Sequence, residues 1–538
     1  MKKIVPLFAV SVTCLLYLSP AMAVVCDDPV ETGYGLVRGE VMEGAEACVW
    51  RGIPFAAPPV GDLRWASPKP HPGWDGVRDA LEFSDMCMQQ GIMALESRIS
   101  KVEMSEDCLY LNVWKPRKSG VFPVMVWIHG GGYTGGSAVT EWYWGDRLAQ
   151  EHDLVVVTTN YRLNVMGFFA HPKLREEDPN AATGGQGSLD QVAAIRWVHN
   201  NIENFGGDPD NVTIFGESAG GWSVCTMVAT PLNKGMFQHA ILESGGCDRS
   251  ADLEAGYEET AEAARILGCD PMDLDCLRAV PAEKVVDETA ASMGGGEGVS
   301  ARPHHDGYLL TGTPLSMIEE GNYNRVDFMA GYNRDEFAKA LKLMPGFYWT
   351  RKGSYEKKLV NKVGFSEAEA EELVGLYPLS EFNNRPVEAY GRMMGADASL
   401  ACPTYQGLLE ASRHQNNTWF YRFQYDDYKY GKYMGSAHAM EIPFIFGNLD
   451  RKPASWLYNK RNIGPAEELS DYIQGYVVNF AKTGDPNGEG LPEWPSFQPD
   501  DQELMVFDNE VRTEDIGIQK ERCAFWDEHE VGMFGEEE

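Results

Sequence analysis

Ser218 stands in Gly216-Glu217-Ser218-Ala219-Gly220, directly after the β-branched run Val212-Thr213-Ile214-Phe215 and before the helix-compatible stretch Gly221-Trp222-Ser223-Val224. A strand that turns sharply into a helix lifts a serine hydroxyl clear of a sheet, and flanking glycines keep side chains off the strained corner. This is the pattern of a nucleophile elbow. Upstream, His129-Gly130-Gly131-Gly132 follows the run Val124-Met125-Val126-Trp127-Ile128. Glycines there let backbone amides converge on a small anion, the signature of an oxyanion hole. Together the two segments imply acyl transfer: a carbonyl attacked by Ser218 gains negative charge, which the amides of Gly131, Gly132 and Ala219 would stabilise. Losing one such donor costs about 10²–10³ in rate. The serine also needs a base, and the base an orienting carboxylate, in the chain order serine, acid, histidine. Eleven histidines are candidates for that base.

These residues need a rigid frame. From residue 124 onward apolar β-rich runs alternate with segments of helical period: Val124–Ile128, Leu154-Val155-Val156-Val157-Thr158, then Val212–Phe215. Such alternation predicts an α/β fold with a large, mainly parallel sheet flanked by helices. Between the second and third runs, Leu189, Val192, Ile195, Val198, Ile202 and Phe205 recur every three or four residues, and Ser188 marks the expected start of a helix covering one sheet face. Ala240-Ile241-Leu242, Asp327-Phe328-Met329-Ala330 and Trp419-Phe420-Tyr421-Arg422-Phe423 read as further buried strands. Residues 250–290 and 355–415 read as helical, Gly294-Gly295-Gly296 as a flexible loop, and Glu536-Glu537-Glu538 as a frayed end. No repeat, linker or low-complexity tract interrupts the chain.

At 538 residues, 43% of them hydrophobic, the chain can bury a large core. Because α/β enzymes often run long as one unit, a single domain over 24–538 is expected. Met1-Lys2-Lys3, an apolar run from Ile4 to Leu18 and Ala21-Met22-Ala23 form a secretory leader cut after Ala23, which predicts a secreted or periplasmic protein. Bulky Val24 and Val25 precede Cys26, which speaks against lipid anchoring there. Beyond the leader no run of about 18 apolar residues occurs, so the mature chain is expected to have no transmembrane segment. The formal charge of −34 becomes −36 once Lys2 and Lys3 leave with the leader. Without a basic patch nothing neutralises phosphates, which argues against a nucleic-acid partner and for a solvated acidic surface. Of eleven cysteines one, Cys14, lies in the leader. The other ten are expected to form disulfides in an exported chain, and Cys269 with Cys276, like Cys87 with Cys108, is close enough to close a small loop. No Cys-x-x-Cys or His-rich cluster suggests a metal.

Further segments narrow the choice of base and acid. Gly435-Ser436-Ala437-His438-Ala439-Met440-Glu441-Ile442-Pro443-Phe444-Ile445-Phe446-Gly447 resembles the histidine loop of the type-B carboxylesterase and cholinesterase family. Gly331-Tyr332-Asn333-Arg334-Asp335-Glu336-Phe337 resembles that family's acid loop. The resemblance extends over nearly the whole mature chain, through Gly52-Ile53-Pro54-Phe55-Ala56, Ser105 to Trp114, Asn160-Tyr161-Arg162, Phe205-Gly206-Gly207-Asp208-Pro209 and Asn479 to Asn487. It implies an α/β-hydrolase fold whose helical insertions form a gorge. It also implies a triad of Ser218, Glu336 and His438, with Asp335 the fallback acid. Disulfides carried over by the resemblance are Cys87 to Cys108, Cys269 to Cys276 and Cys402 to Cys523, leaving Cys26, Cys48, Cys225 and Cys247 unassigned.

The implied reaction is hydrolysis of a carboxylic ester through an acyl-enzyme, needing no cofactor, with a rate that rises as a histidine near the unperturbed pKa of about 6.5 loses its proton. Glu217 reads as a structural ion-pair partner, and Ser244, in Glu243-Ser244-Gly245-Gly246, resembles a serine that steadies the triad. Tyr133, Trp142, Tyr143, Trp144 and Trp222 lie within reach in sequence of the oxyanion loop or the elbow and are candidates to line an apolar pocket. Cholinesterases carry a tryptophan for quaternary ammonium in the loop closed by the first disulfide. Between Cys87 and Cys108 this chain has none, and the apolar segment Met88 to Leu95 stands there as a gorge wall or lid. The expected substrate is thus a small-molecule ester of short or medium chain. A lipase-like preference for long acyl chains and a non-catalytic binding protein are the alternatives. Oligomeric state is not legible in the chain.

Overall fold

The buried apolar runs assemble into one sheet, built as their alternation predicts. The computed structural model describes residues 25–91, 94–291, 298–339 and 350–529. The leader 1–23 with Cys14, Ile92 and Met93 of the gorge-wall segment, the Gly294–Gly296 loop and the Glu536–Glu538 end lie outside the described residues. In chain order the sheet contains β1 (Glu40–Val41), β2 (Ala47–Pro54), β3 (Tyr110–Pro116), β4 (Phe122–Ile128), β5 (Val155–Thr159), β6 (Gly207–Glu217), β7 (His239–Glu243), β8 (Asp327–Asn333), β9 (Thr418–Phe423), β10 (Glu503–Phe507) and β11 (Arg512–Asp515). In space they run β11-β10-β9-β8-β7-β6-β4-β5-β3-β2-β1. The seven strands from β10 to β5 pair parallel, and antiparallel strands close both edges.

Alternation along each strand divides the side chains between two cores. Val124, Val126, Ile128, Val212, Ile214, Leu242 and Ala330 face one core, which contains residues of α1 (Gln186–Asn201), α2 (Ala219–Ala229) and α3 (Cys402–Ser412). Met125, Trp127, Phe215, Ile241, Met329 and Tyr421 face the other, which contains Ile473 and Val477 of α4 (Ile463–Thr483). The sheet-covering helix begins two residues before the expected start. Gly185 takes the cap position, and Ser188 is buried in the first turn. Packing of that turn, not a capping hydroxyl, places the boundary. The same helix supplies Asp190, whose carboxylate receives Arg162 Nε and Nη2 at 2.7 Å each and the Arg162 backbone N–H at 3.1 Å. This buried, bidentate pair fixes the segment after β5 against α1.

The expected helical stretches contain Leu253–Leu267, Leu274–Ala279 and Ala282–Thr289, and later Glu367–Leu376, Pro386–Arg392 and α3. Five disulfides tie the described chain together. Three are the pairs implied by the resemblance, and the four remaining cysteines pair as Cys26 to Cys48 and Cys225 to Cys247. Among the described residues no helix is long and apolar enough to cross a membrane.

Candidate active site

The chemistry-bearing residues gather at the carboxyl ends of the parallel strands, where open α/β sheets place their sites. Ser218 links β6 to α2 with φ 59° and ψ −123°, a conformation that L-residues rarely adopt. Its backbone N–H donates to Glu243 O at 2.8 Å, so the end of β7 holds the corner in place. Gly220 has no room for a side chain, because a Cβ there would collide with the backbone of Ile128 at the end of β4. That close approach brings the oxyanion loop against the elbow. Gly131 and Gly132 take φ values of 110° and 62°. Among the described residues, the amides of Gly131, Gly132 and Ala219 donate to no protein acceptor, leaving three N–H groups free for a ligand oxygen. Tyr161 Oη donates to His129 O at 2.8 Å and steadies the loop from behind. His129 itself is fully buried against the Tyr161 ring, and burial pulls its pKa down to about 4. It is therefore a neutral packing residue.

His438 arrives from the loop after β9 and Glu336 from the turn after β8. His438 Nδ1 lies 2.6 Å from Glu336 Oε2, while the His438 backbone N–H donates to Glu336 O at 3.2 Å. Glu336 Oε1 accepts the Asn333 N–H at 2.6 Å, so both carboxylate oxygens are engaged. Asp335, the fallback acid, is turned away to Arg334 at 2.6 Å and Lys339 at 3.3 Å, and accepts the Ser436 N–H at 2.9 Å. Burial works against its charge, but the two cations and the amide outweigh it and hold its carboxyl below the usual range. Glu336 is the acid that meets the histidine.

The other imidazole nitrogen departs from a simple serine–histidine pair. His438 Nε2 lies 3.0 Å from Glu217 Oε1, close enough for a charge contact but not aligned as a hydrogen bond, and Ser218 Oγ makes no hydrogen bond to it. Glu217 is thus an ion-pair partner of the histidine itself. Glu441 packs alongside, accepting Ser244 Oγ at 3.4 Å and a short hydrogen bond from Asn333 Nδ2, whose amide also donates to Ala437 O at 2.8 Å. Ser244 therefore reaches the histidine loop through Glu441. Glu243 is buried nearby with no hydrogen-bond partner on either carboxylate oxygen.

Burial pushes the Glu217, Glu243 and Glu441 carboxyls well up, and repulsion adds to the effect, from Glu441 and Glu336 on Glu217, from Glu441 and Glu217 on Glu243, and from Glu336 on Glu441. Burial pushes His438 the opposite way, toward neutrality, but Glu217, Glu336 and Glu441 override it and raise the imidazole to about 9. Glu217 and His438 compete for one proton: an imidazolium favours the Glu217 carboxylate, whereas a neutral imidazole favours a protonated one. A titration near the unperturbed 6.5 is therefore replaced by a higher one.

The aromatic candidates separate. Trp222, on the first turn of α2, packs against Tyr133 with ring centroids 5.8 Å apart. Tyr133 is wholly buried behind the oxyanion loop, packed on Phe168 as well, so it backs the loop and lines no open pocket. Trp142, Tyr143 and Trp144 are not brought to the elbow. They join the core on the sheet's other face: Tyr143 packs on Trp127, and Trp144 stacks on Phe83 beneath Arg451. Their nearness to the oxyanion loop in sequence is undone by the turn at Glu141–Tyr143, where Asn448 grips the Trp142 and Trp144 carbonyls.

Glu441, Asn333 and Tyr161 lie inside the histidine loop, the acid loop and Asn160-Tyr161-Arg162, where nothing local marks their roles. An acid placed at the end of an apolar strand, as in Ala240-Ile241-Leu242-Glu243, is the signal that would have found the buried carboxylates. Among the described residues no group of three or more histidine, cysteine, aspartate or glutamate side chains is placed to hold a metal ion.

A family model described as the carboxylesterase family matches residues 27–526. The chain belongs to that family. This member of the carboxylesterase family is 36% identical to the para-nitrobenzyl esterase of Bacillus subtilis (strain 168) over 490 residues, covering 90% of this chain and 96% of the relative. It is also 36% identical to the medium-chain fatty acyl-CoA hydrolase precursor of Anas platyrhynchos over 516 residues, with 89% and 88% covered. A solved PNB esterase superposes with a TM-score of 0.76 at 34% identity, covering 93% of this chain and 100% of that one. A thermophilic PNB esterase gives 0.78 at 32% identity over 93% and 100%. The fold is the α/β-hydrolase fold of these esterases, and the chain is a carboxylic ester hydrolase.

Proposed function

We propose that this carboxylesterase-family chain hydrolyses esters through a Ser218–His438–Glu336 triad and an acyl-enzyme on Ser218. The observation that carries the reading is the His438–Glu336 contact of 2.6 Å beside a serine held at φ 59° on a strand-to-helix corner. Neutral His438 swings its Nε2 from Glu217 to Ser218 Oγ and takes the hydroxyl proton as the oxygen attacks the carbonyl carbon. The developing oxyanion is met by the amides of Gly131, Gly132 and Ala219. The imidazolium, stabilised by Glu336 and Glu217, then protonates the departing alcohol. Water activated by His438 releases the acid and restores the serine. Side chains, backbone amides and water perform every step. The mature chain, residues 24–538, forms a single domain and acts after export. The leader pattern supports this, as do the ten remaining cysteines, all of them paired.

The test is a panel of p-nitrophenyl esters from acetate to palmitate, with acetylthiocholine alongside, offered to the purified chain and its Ser218→Ala variant. The parent turns over short and medium esters, and the variant's kcat falls by at least about 10⁴. Equal rates in parent and variant, or no hydrolysis by folded parent, would overturn the proposal.

A further inference from the structure

The loop that leaves β7 carries a cation to the rim of the elbow. Arg249 Cζ lies 5.0 Å from the centre of the Trp222 ring. Trp222 is the fourth residue after Ser218 and accordingly shares its helix face; its backbone N–H donates to Ser218 O at 2.9 Å. The placement is covalently fixed, because Cys247, two residues before Arg249, is bonded to Cys225, three residues after Trp222 on α2. The charge is felt at the oxyanion loop: burial pushes the Tyr133 phenol up, and Arg249 is among the groups that pull it back.

The chain carries 80 acidic and 46 basic side chains, so carboxylates are in excess over cations. Among the described residues Arg249 makes no ion pair within 4.0 Å and no side-chain hydrogen bond; burial pushes the neighbouring Asp248 carboxyl up, and the Arg249 charge opposes that rise from a distance. Asp248 is turned back over Gly246. The Trp222 ring covers one side of the guanidinium, and its N–H groups donate to no acceptor among the described residues, an arrangement suited to a planar carboxylate.

Resting on the triad reading above, we infer that Arg249 is a specificity-determining residue that selects esters whose acyl part carries a carboxylate, that is, half-esters of dicarboxylic acids. The acyl side follows from the chemistry. The leaving alcohol must stand beside His438 to be protonated, among Glu217, Glu336 and the Phe337 ring 4.3 Å from the imidazole. Arg249 instead packs on Trp222, whose other neighbour is Tyr133 of the oxyanion loop. In the reaction Ser218 Oγ bonds to the ester carbonyl carbon, the carbonyl–alkoxy bond breaks, and the alcohol leaves with the proton from His438. Water then frees the serine, giving a dicarboxylate, an alcohol and one proton in solution. The carboxylate bound by Arg249 is unchanged throughout.

The test measures ethanol release from the monoethyl esters of succinate, glutarate and adipate against ethyl esters of fatty acids with the same number of carbons. In the parent at least one half-ester exceeds its neutral counterpart tenfold or more in kcat/KM. Arg249→Met, which keeps the apolar stem over Trp222, lowers that ratio about tenfold to a hundredfold, the range for a lost charge-assisted hydrogen bond. Arg249→Lys restores part of it, and the dicarboxylate product inhibits the parent more strongly than it inhibits Arg249→Met. A parent that prefers the neutral ester throughout overturns the inference. So does a ratio that stays within twofold in Arg249→Met, including the case where both esters slow together because Trp222 has lost its packing partner. Failure of the triad reading would look different: the parent would hydrolyse neither class, or Ser218→Ala would hydrolyse both as well as the parent.

Discussion

Replacing Glu217 by glutamine probes the proton that it and His438 contest. The substitution is nearly isosteric and removes one negative charge 3.0 Å from Nε2. At an effective dielectric of about 20, that charge is worth about 332/(20 × 3.0), or roughly 5.5 kcal/mol, to the imidazolium. This is a ceiling of about 4 pH units. The working effect is smaller, because burial keeps Glu217 partly protonated and because Glu336 and Glu441 also hold the imidazole above 6.5, at about 9. Without Glu217 the histidine should titrate about one to two units lower, between about 7 and 8. His438 must be neutral to accept the serine proton, so activity appears as pH rises through its pKa, and lowering that pKa moves the acid limb to lower pH. The assay is kcat/KM for p-nitrophenyl acetate between about pH 5 and 10, which reports the free enzyme. A limb that stays within about 0.3 unit of the parent's, or that moves to higher pH, would refute the contested-proton account.

Three further substitutions test other parts of the account. Glu336→Gln should lower kcat by about 10⁴ through loss of the imidazolium's partner and orientation, whereas Asp335→Asn, which disturbs the Arg334, Lys339 and Ser436 contacts but none to His438, should stay within about tenfold of the parent; equal losses in steady-state kinetics would contradict the assignment of the acid. Asp190→Ala leaves the buried Arg162 guanidinium uncompensated and should cost about 3–5 kcal/mol of stability, read in urea unfolding, while a cost under about 1 kcal/mol would show the pair to be dispensable.

The central strands are legible because a strand buried on both faces reads as a largely apolar, β-branched run, as in Val124–Ile128, Leu154–Thr158 and Val212–Phe215. The edge strands carry no such signal. In β2 Arg51 and in β3 Asn112 and Lys115 interrupt the apolar pattern, and their reason is tertiary: Asn112 accepts the Gly52 N–H at 3.0 Å, and Arg51 pairs with Glu40 at 2.5 Å. The elbow and oxyanion loop were legible because backbone conformation selects glycine at sites of close approach. Which face an aromatic residue takes is decided by a turn, so Trp142 and Trp144 were expected near Ser218 and pack elsewhere. The orientation of the His438 ring has no local signal at all, since it depends on Glu217, Glu336 and Glu441, brought together from three separate parts of the chain.

The most direct test of the proposed mechanism is to look for the covalent intermediate. The chain should be mixed with a slowly deacylating p-nitrophenyl ester, quenched in acid and digested, and the peptides examined by mass spectrometry. The account predicts one acyl group, carried on Ser218 in the peptide spanning Gly216–Gly220 and absent from Ser218→Ala. An acyl group on another residue, or rapid ester turnover with no covalent intermediate, would contradict it.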